Sequence, residues 1–302
     1  MEYLMRVRAA TLSALVGMMT ALPLRGQQAV DWSAVDAAFG RASAVQDGGV
    51  HRWSMPRSDL QVTAAGITLK PAFALGSWLA MLPTAHGVLA MGDLVLRDEE
   101  LNPVLSKLQE GGIEQSAIHH HVIRESPRLL YVHIHGHGNP AAIATAVRAA
   151  LALTGTPPQA PAATTAPTMP LDTTGISRAL GASGKVNGGV WQVSVPRAEV
   201  LRDDDVVLPA SMGVATAINF QPTTGSRAAI TGDFVMLASE VNGVIKALRA
   251  SGIEVTSLHN HLLQDTPRLF FLHFWGENDA IVLAKGLRSA LDVTNVRRAG
   301  PT

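Results

Sequence analysis

Cysteine is absent from all 302 residues, which removes disulfides, thiolate ligands, a cysteine nucleophile and lipid attachment through sulfur. Any metal in this protein has to be held by imidazole nitrogen and by oxygen. An excess of either charge is absent too: 24 basic residues balance 24 acidic ones, no block of like charge stands out, and nucleic acid is set aside as a partner. Gly-x-Ser-x-Gly is missing, so a hydrolase elbow has no support. The glycine pairs lack the strand-glycine-helix context, lysine or dinucleotide spacing of a phosphate loop.

The apolar run near the start falls short of a membrane span. Arg6 and Arg8 precede Ala9 to Leu24, whose only polar members are Thr11, Ser13 and Thr20, and Pro23 and Arg25 end it before the roughly 20 residues a span needs. The pattern predicts a signal peptide over residues 1–29, hence a periplasmic or secreted protein with no stable membrane anchor after processing.

What is present is a duplication rich in histidine. Residues 117–136 read AIHHHVIRESPRLLYVHIHG and residues 257–276 read SLHNHLLQDTPRLFFLHFWG, so His119, His121 and His133 recur as His259, His261 and His273. The offset of 140 residues also relates Gly48-Gly49-Val50 to Gly188-Gly189-Val190, Pro56-Arg57 to Pro196-Arg197, Gly92-Asp93 to Gly232-Asp233 and Gly112-Ile113-Glu114 to Gly252-Ile253-Glu254. Residues 154–171, rich in Pro, Thr and Ala, read as a linker. The expected division is a first module over 30–153, a second over 172–297, and a short tail over 298–302.

Each module opens with strands (His51–Met55 and Gly66–Leu69 in the first), followed by a strand near Val88–Leu96. Leu101, Val104, Leu105 and Leu108 keep a helical period from Asp98 to Gly111, repeated as Val241, Val244, Ile245 and Leu248. Two strands joined by Glu125-Ser126-Pro127-Arg128 come next, and a last helix starts at Asn139-Pro140, a cap followed by proline. The order predicts an α+β fold of two tandem homologous modules, each an antiparallel sheet with helices on one face around a ferredoxin-like β-α-β-β-α core.

Residue parity then places the histidines. Even positions of the hairpin are mainly apolar (Ile118, Val122, Leu130, Val132, Ile134; Leu258, Leu262, Phe270, Leu272, Phe274) and should lie under the helices. His119, His121, His133 and His135 are odd and point the other way, with His119 near His133. Nine of the 11 histidines lie in the two hairpins. The candidate metal ligands are His119, His121, His133 and His135 in the first copy and His259, His261 and His273 in the second. Candidate carboxylate ligands, supports or bases are Asp93, Glu114, Asp233 and Glu254, with Glu125 and Asp265 behind them. His120, on the apolar face, is expected to bond to backbone. His135 and His137 are replaced by Trp275 and Glu277 at the equivalent positions of the second copy, which makes the first site the richer. Arg57 and Arg197 are weaker candidates for an anionic ligand, against an ordinary ion pair.

At GDLVL, EELNPVLSKLQEGGIE, AIHHH and ESPRLLYVHIHG, and again at GDFVM, SEVNGVIKALRASGIE, SLHNH and DTPRLFFLHFWG, the chain resembles the LppY/LpqO-like family of exported bacterial proteins over nearly all of both copies. The resemblance implies bacterial export and the duplicated module, without assigning a reaction. Lacking cysteine, this member departs from the lipoproteins that name the family. The leading expectation is an exported protein binding zinc or copper in one three-histidine site per copy. A metalloenzyme with an open site between the modules, or a binding or structural module without metal, are the alternatives, and whether the chain is an enzyme stays open.

Overall fold

The computed structural model describes residues 29–158 and 168–297. The expected signal segment, apart from Ala29, lies outside them, as do the middle of the linker and the tail.

The first module comprises α1 (Trp32–Phe39), β1 (Ala44–Gln46), β2 (Val50–Pro56), β3 (Thr63–Ala64), β4 (Ile67–Thr68), α2 (Pro71–Ala74), β5 (Gly76–Thr84), β6 (Gly87–Arg97), α3 (Asp98–Glu110), β7 (Glu114–His119), β8 (Glu125–Ser126), β9 (Leu129–Gly138) and α4 (Pro140–Leu151). The second repeats it with α5 (Thr173–Leu180), β10 (Gly184–Asn187), β11 (Val190–Val195), β12 (Arg202–Asp203), β13 (Val206–Val207), β14 (Thr216–Pro222), β15 (Arg227–Leu237), α6 (Val241–Ala250), β16 (Glu254–His259), β17 (Asp265–Thr266), β18 (Leu269–Asp279) and α7 (Ala280–Leu291). The chain is thus mixed α/β with two similar halves, each with a large antiparallel sheet. The strand orders are β1-β2-β5-β6-β9-β7 and β10-β11-β14-β15-β18-β16.

Local chemistry explains the helices. Asn139 caps α4 by accepting from the Ala142 amide, and Pro140 occupies the first turn, where its missing N–H costs nothing. Two opening helices went unread in the sequence although their ends are marked: Asp31 and Asp172 cap α1 and α5, and Gly40 and Gly181 close them in the left-handed conformation.

Each sheet buries both faces. Beneath the helices, Val104, Leu108, Val132, Ile134, Ile143 and Val147 form one core, and Val244, Leu248, Leu272, Phe274, Leu283 and Leu287 form its counterpart. The opposite faces pack on each other through two further clusters. Met91, Leu82, Val214, Val235, Leu262 and Phe271 make one, and Val95, Leu129, Tyr131, Phe73, Ala229 and Trp275 the other. The result is four layers, helices outside and two sheets inside, with both inner faces largely removed from water.

Parity mislocates two apolar positions in each copy. Ile118 and Leu258 are half exposed, because β7 and β16 are edge strands that the helices do not cover at these positions. Val122 and Leu262 are buried, but in the clusters between the sheets.

Candidate functional site

A bulge sets the histidine face. In β7 the register against β9 shifts at Ser116: Glu114 pairs with His135 before it, whereas Ala117 pairs with His133 and His119 with Tyr131 after it. The extra residue swaps the side of the sheet to which even and odd positions point. His119 is therefore on the face of His133, diagonal to it rather than directly opposite. The second module repeats the shift at Thr256. The bulge residues also reach across the interface. Ser116 donates to the His261 carbonyl, Thr256 to the His121 carbonyl at 2.8 Å and Ser257 to the His120 carbonyl at 2.7 Å, so each module positions the other's histidine turn.

Six imidazoles and two carboxylates meet between the sheets. His119 stacks on His259 at 3.8 Å between ring centroids, His121 lies 3.9 Å from His273, and His133 lies 3.8 Å from His261. The arrangement is close to twofold. Tyr131 and Phe271 act as equivalent lids, each stacked 3.5 Å from its own module's His121 or His261. Asp93 and Asp233, from β6 and β15, sit beside His133 and His273 in the ladders. Asp93 Oδ2 is 3.1 Å from His121 Nε2, and Asp233 Oδ2 is 2.9 Å from His261 Nε2.

The backbone fixes three of these rings. Nδ1 of His133 donates to the Gly92 carbonyl at 3.2 Å, Nδ1 of His273 to Gly232 at 2.7 Å and Nδ1 of His261 to Gly213 at 3.0 Å. A carbonyl only accepts, so in the neutral ring Nε2 carries the lone pair and faces the cluster. His119 and His259 bond through neither nitrogen. Also buried and unbonded are Nε2 of His121, His133, His261 and His273, and Oδ1 of Asp93 and Asp233.

Burial dominates the protonation of the cluster. It pushes His133 and His261 down to about 3 and holds His119, His121, His259 and His273 well below the usual imidazole range, with mutual repulsion added. Burial also raises Asp93, and lifts Asp233 to about 6. The imidazoles are therefore neutral near pH 7, the state in which they can ligate a cation. Arg52, missed in the sequence, lies 3.8 Å over Trp78 and close enough to Asp93 for its charge to be felt, while burial lowers it to about 10. Its equivalent in the second module is the neutral Gln192.

Three donor sets each have ligand atoms within 4.8 Å of one another: His119 with His133 and His259, His119 with His121 and His273, and Asp233 with His259 and His261. Two of the three mix modules. This corrects the expectation of one self-contained site per copy, because the histidine faces look at each other and their rings interleave. His135 does not join them. It lies with His137 and Asp203 at the edge of the interface, where the ligand atoms of these three stand within 4.8 Å of one another. Glu114 and Glu254 are outside the centre as well: Glu114 is an exposed carboxylate 3.3 Å from His135, and Glu254 pairs with Arg124 of the other module at 2.6 Å. Of the four candidate bases, Asp93 and Asp233 alone reach the cluster. His120 bonds to the Leu129 carbonyl at 3.1 Å, away from the others.

Arg57 and Arg197 are not free to bind an anion, which corrects the expectation raised for them. The five N–H groups of Arg57 go to Asp59, Glu100 and the Val95 carbonyl. Those of Arg197 go to Glu199, Glu240 and the Val235 carbonyl. Both are fully buried braces that tie a strand end to the start of a helix.

Fold and site together define a tandem α/β protein whose two sheets enclose a shared histidine and aspartate centre. The chain belongs to the family described as Domain of Unknown Function (DUF1259), matched twice, over residues 33–153 and 174–293. No curated protein matches the chain. Among solved structures, the trimeric bacterial microcompartment shell protein PduB aligns over 86% of this chain and 98% of its own, at 14% identity and a TM-score of 0.24. EtuB from Clostridium kluyveri aligns over 83% and 90%, at 7% identity and a TM-score of 0.20. Neither superposition is close enough to assign a fold or a function.

Proposed function

We propose that this protein binds transition-metal ions, zinc first and copper second, in the centre between its two sheets. The observation that carries the proposal is the set of orphaned donors: eight imidazole nitrogens and two carboxylate oxygens buried without a hydrogen-bond partner. Each unsatisfied buried polar atom costs about 1–3 kcal/mol, and histidines kept for packing would have been bonded to their surroundings. A cation satisfies many of them at once.

The spacings fit such a role. Two donors on one zinc ion, with bonds of ~2.0–2.1 Å, stand roughly 2.9–3.4 Å apart at ordinary bond angles, and the two Asp–His separations are 3.1 and 2.9 Å. Carbonyls holding Nδ1 are also the supports that metal-ligating histidines commonly use. Nitrogen-rich sites with some carboxylate and no thiolate suit zinc and copper alike. Burial of the donors favours holding an ion over turning over a substrate. The LppY/LpqO-like kinship, export to the periplasm or beyond, and descent of each half from a ferredoxin-like core complete the proposal.

Metal analysis of untagged full-length protein tests it. At least one zinc or copper per chain is expected, with a melting temperature that falls on chelation and returns on adding the metal back. Absence of stoichiometric metal together with an unchanged melting temperature would overturn it.

A further inference from the structure

We propose that His135, His137 and Asp203 form a second metal site, open to solvent and separate from the buried centre, for a divalent transition metal such as zinc. It shares no residue with the centre, and both modules contribute: two histidines from β9 and the aspartate from β12.

On β9, residues 133, 135 and 137 lie on one face at two-residue steps of roughly 6.6–6.8 Å, so the row runs outward from the buried His133. Asp203 Oδ2 is 2.6 Å from His135 Nε2 and 3.5 Å from His137 Nε2. The two rings are 4.8 Å apart and nearly perpendicular, so the imidazoles converge on that oxygen rather than stacking. His135 bridges two carboxylates: Nδ1 lies 3.3 Å from Glu114, and Nε2 donates to Asp203 at 2.6 Å, a proton that a cation bound there would replace. The Asp203 side chain is 1% exposed, whereas that of His137 is 46% exposed. A buried carboxylate is thus the floor of the site and an accessible imidazole its rim. The three residues line a solvent-open pocket of about 720 Å³ with Glu114, Ser116 and Gln264, room for water or a small anion in the remaining coordination positions.

The duplication supplies a comparison within the same chain. At the corresponding corner the second copy has Trp275 and Glu277 in place of His135 and His137, and the ladders of β3 and β12 match Asp203 with Ala64. There the indole is buried in the cluster of Ala64 and Phe73, 6.0 Å from the Phe73 ring, and Glu277 pairs with Arg227. The fold closes that corner with apolar packing, so it does not require donors at the first one.

Zinc titration of the full chain, followed by release to a fast chelator, tests the proposal. Wild-type protein is expected to give up one equivalent rapidly, ahead of any zinc held in the buried centre. His137→Ala, at an exposed position, should weaken that equivalent at least about tenfold. The combined change His135→Trp, His137→Glu and Asp203→Ala, which transplants the second copy's corner, should abolish it. A variant with His119→Ala and His259→Ala should keep it, whatever becomes of the centre. Absence of a rapidly released equivalent in the wild type, or its persistence in both corner variants, would overturn the proposal. If the corner variants lose an equivalent while His119→Ala with His259→Ala loses none, the open site stands and the central one falls.

Discussion

A histidine with both ring nitrogens buried and unbonded is a cost that the rest of the chain has to offset. His119 and His259 are in that state, stacked on each other across the interface. Replacing both with leucine removes four orphaned nitrogens and keeps most of the volume. In metal-free protein the double change His119→Leu and His259→Leu is expected to raise stability by about 1–3 kcal/mol, read by denaturant unfolding, while zinc binding in the centre is lost. Lower stability with unchanged binding would mean that these rings are ordinary packing residues. At this scale the sequence was informative where a residue type and its repetition carry the meaning: six of the seven histidines proposed as ligands lie in the centre. It was silent on Asp203 and Arg52, which no local pattern distinguishes, and it left Arg57 and Arg197 open between an anionic ligand and an ion pair, because their partners Glu100 and Glu240 lie 43 residues away.

At the scale of elements, the site depends on strands that approach closely. Gly92 follows the parity of the core face, and a Cβ there would stand 2.6 Å from the Trp78 carbonyl and 2.9 Å from Ile134 Cγ1. Its own carbonyl accepts from His133, and the next residue is Asp93. Gly92→Ala is therefore expected to destabilise the protein by about 1–3 kcal/mol through overpacking and to weaken central zinc binding roughly tenfold by displacing β6. Thermal unfolding and zinc titration check this; an unchanged affinity would show that the centre tolerates movement of β6. The long strands and the later helices of each module could be read because periodicity, proline and capping residues mark them locally, whereas Glu125–Ser126, expected as part of a turn, is the short strand β8. The bulges at Ser116 and Thr256 could not, since an extra residue in a ladder leaves no mark on a single strand. Strict alternation found the histidine face only because the bulge restores agreement between odd positions of β7 and β9; Glu114, on the near side of it, consequently faces His135.

On the scale of the whole molecule, the decisive fact is that the two histidine faces meet. Parity could show which face carries the histidines, but not what covers it, because that depends on pairing between modules far apart in sequence. The apolar clusters flanking the centre make the meeting of the faces favourable, and the centre makes it sensitive to acid. Burial depresses the folded-state values of the imidazoles below the ordinary 6.5, to about 3 for His133 and His261. Their contribution is therefore fully present above pH 6.5 and lost as the pH falls from there towards 3, where the unfolded chain alone takes up protons. Asp233 has the opposite sign: raised from 3.8 to about 6, it stabilises the folded form as pH falls through that range. Six imidazoles outweigh two carboxylates, so metal-free protein should lose stability below about pH 6, at about 1.4 kcal/mol per pH unit for each net proton. Urea unfolding between pH 7 and pH 5 checks the sign, and rising stability on acidification would contradict it.

The most direct measurement is anomalous diffraction at the zinc edge from crystals of untagged, zinc-loaded protein. The expected result is an anomalous peak between the sheets, bonded to imidazole nitrogens from both modules and to Asp93 or Asp233 at about 2.0–2.2 Å. Zinc found only on the surface, with the rings of His119 and His259 still stacked and unligated, would contradict a shared metal centre.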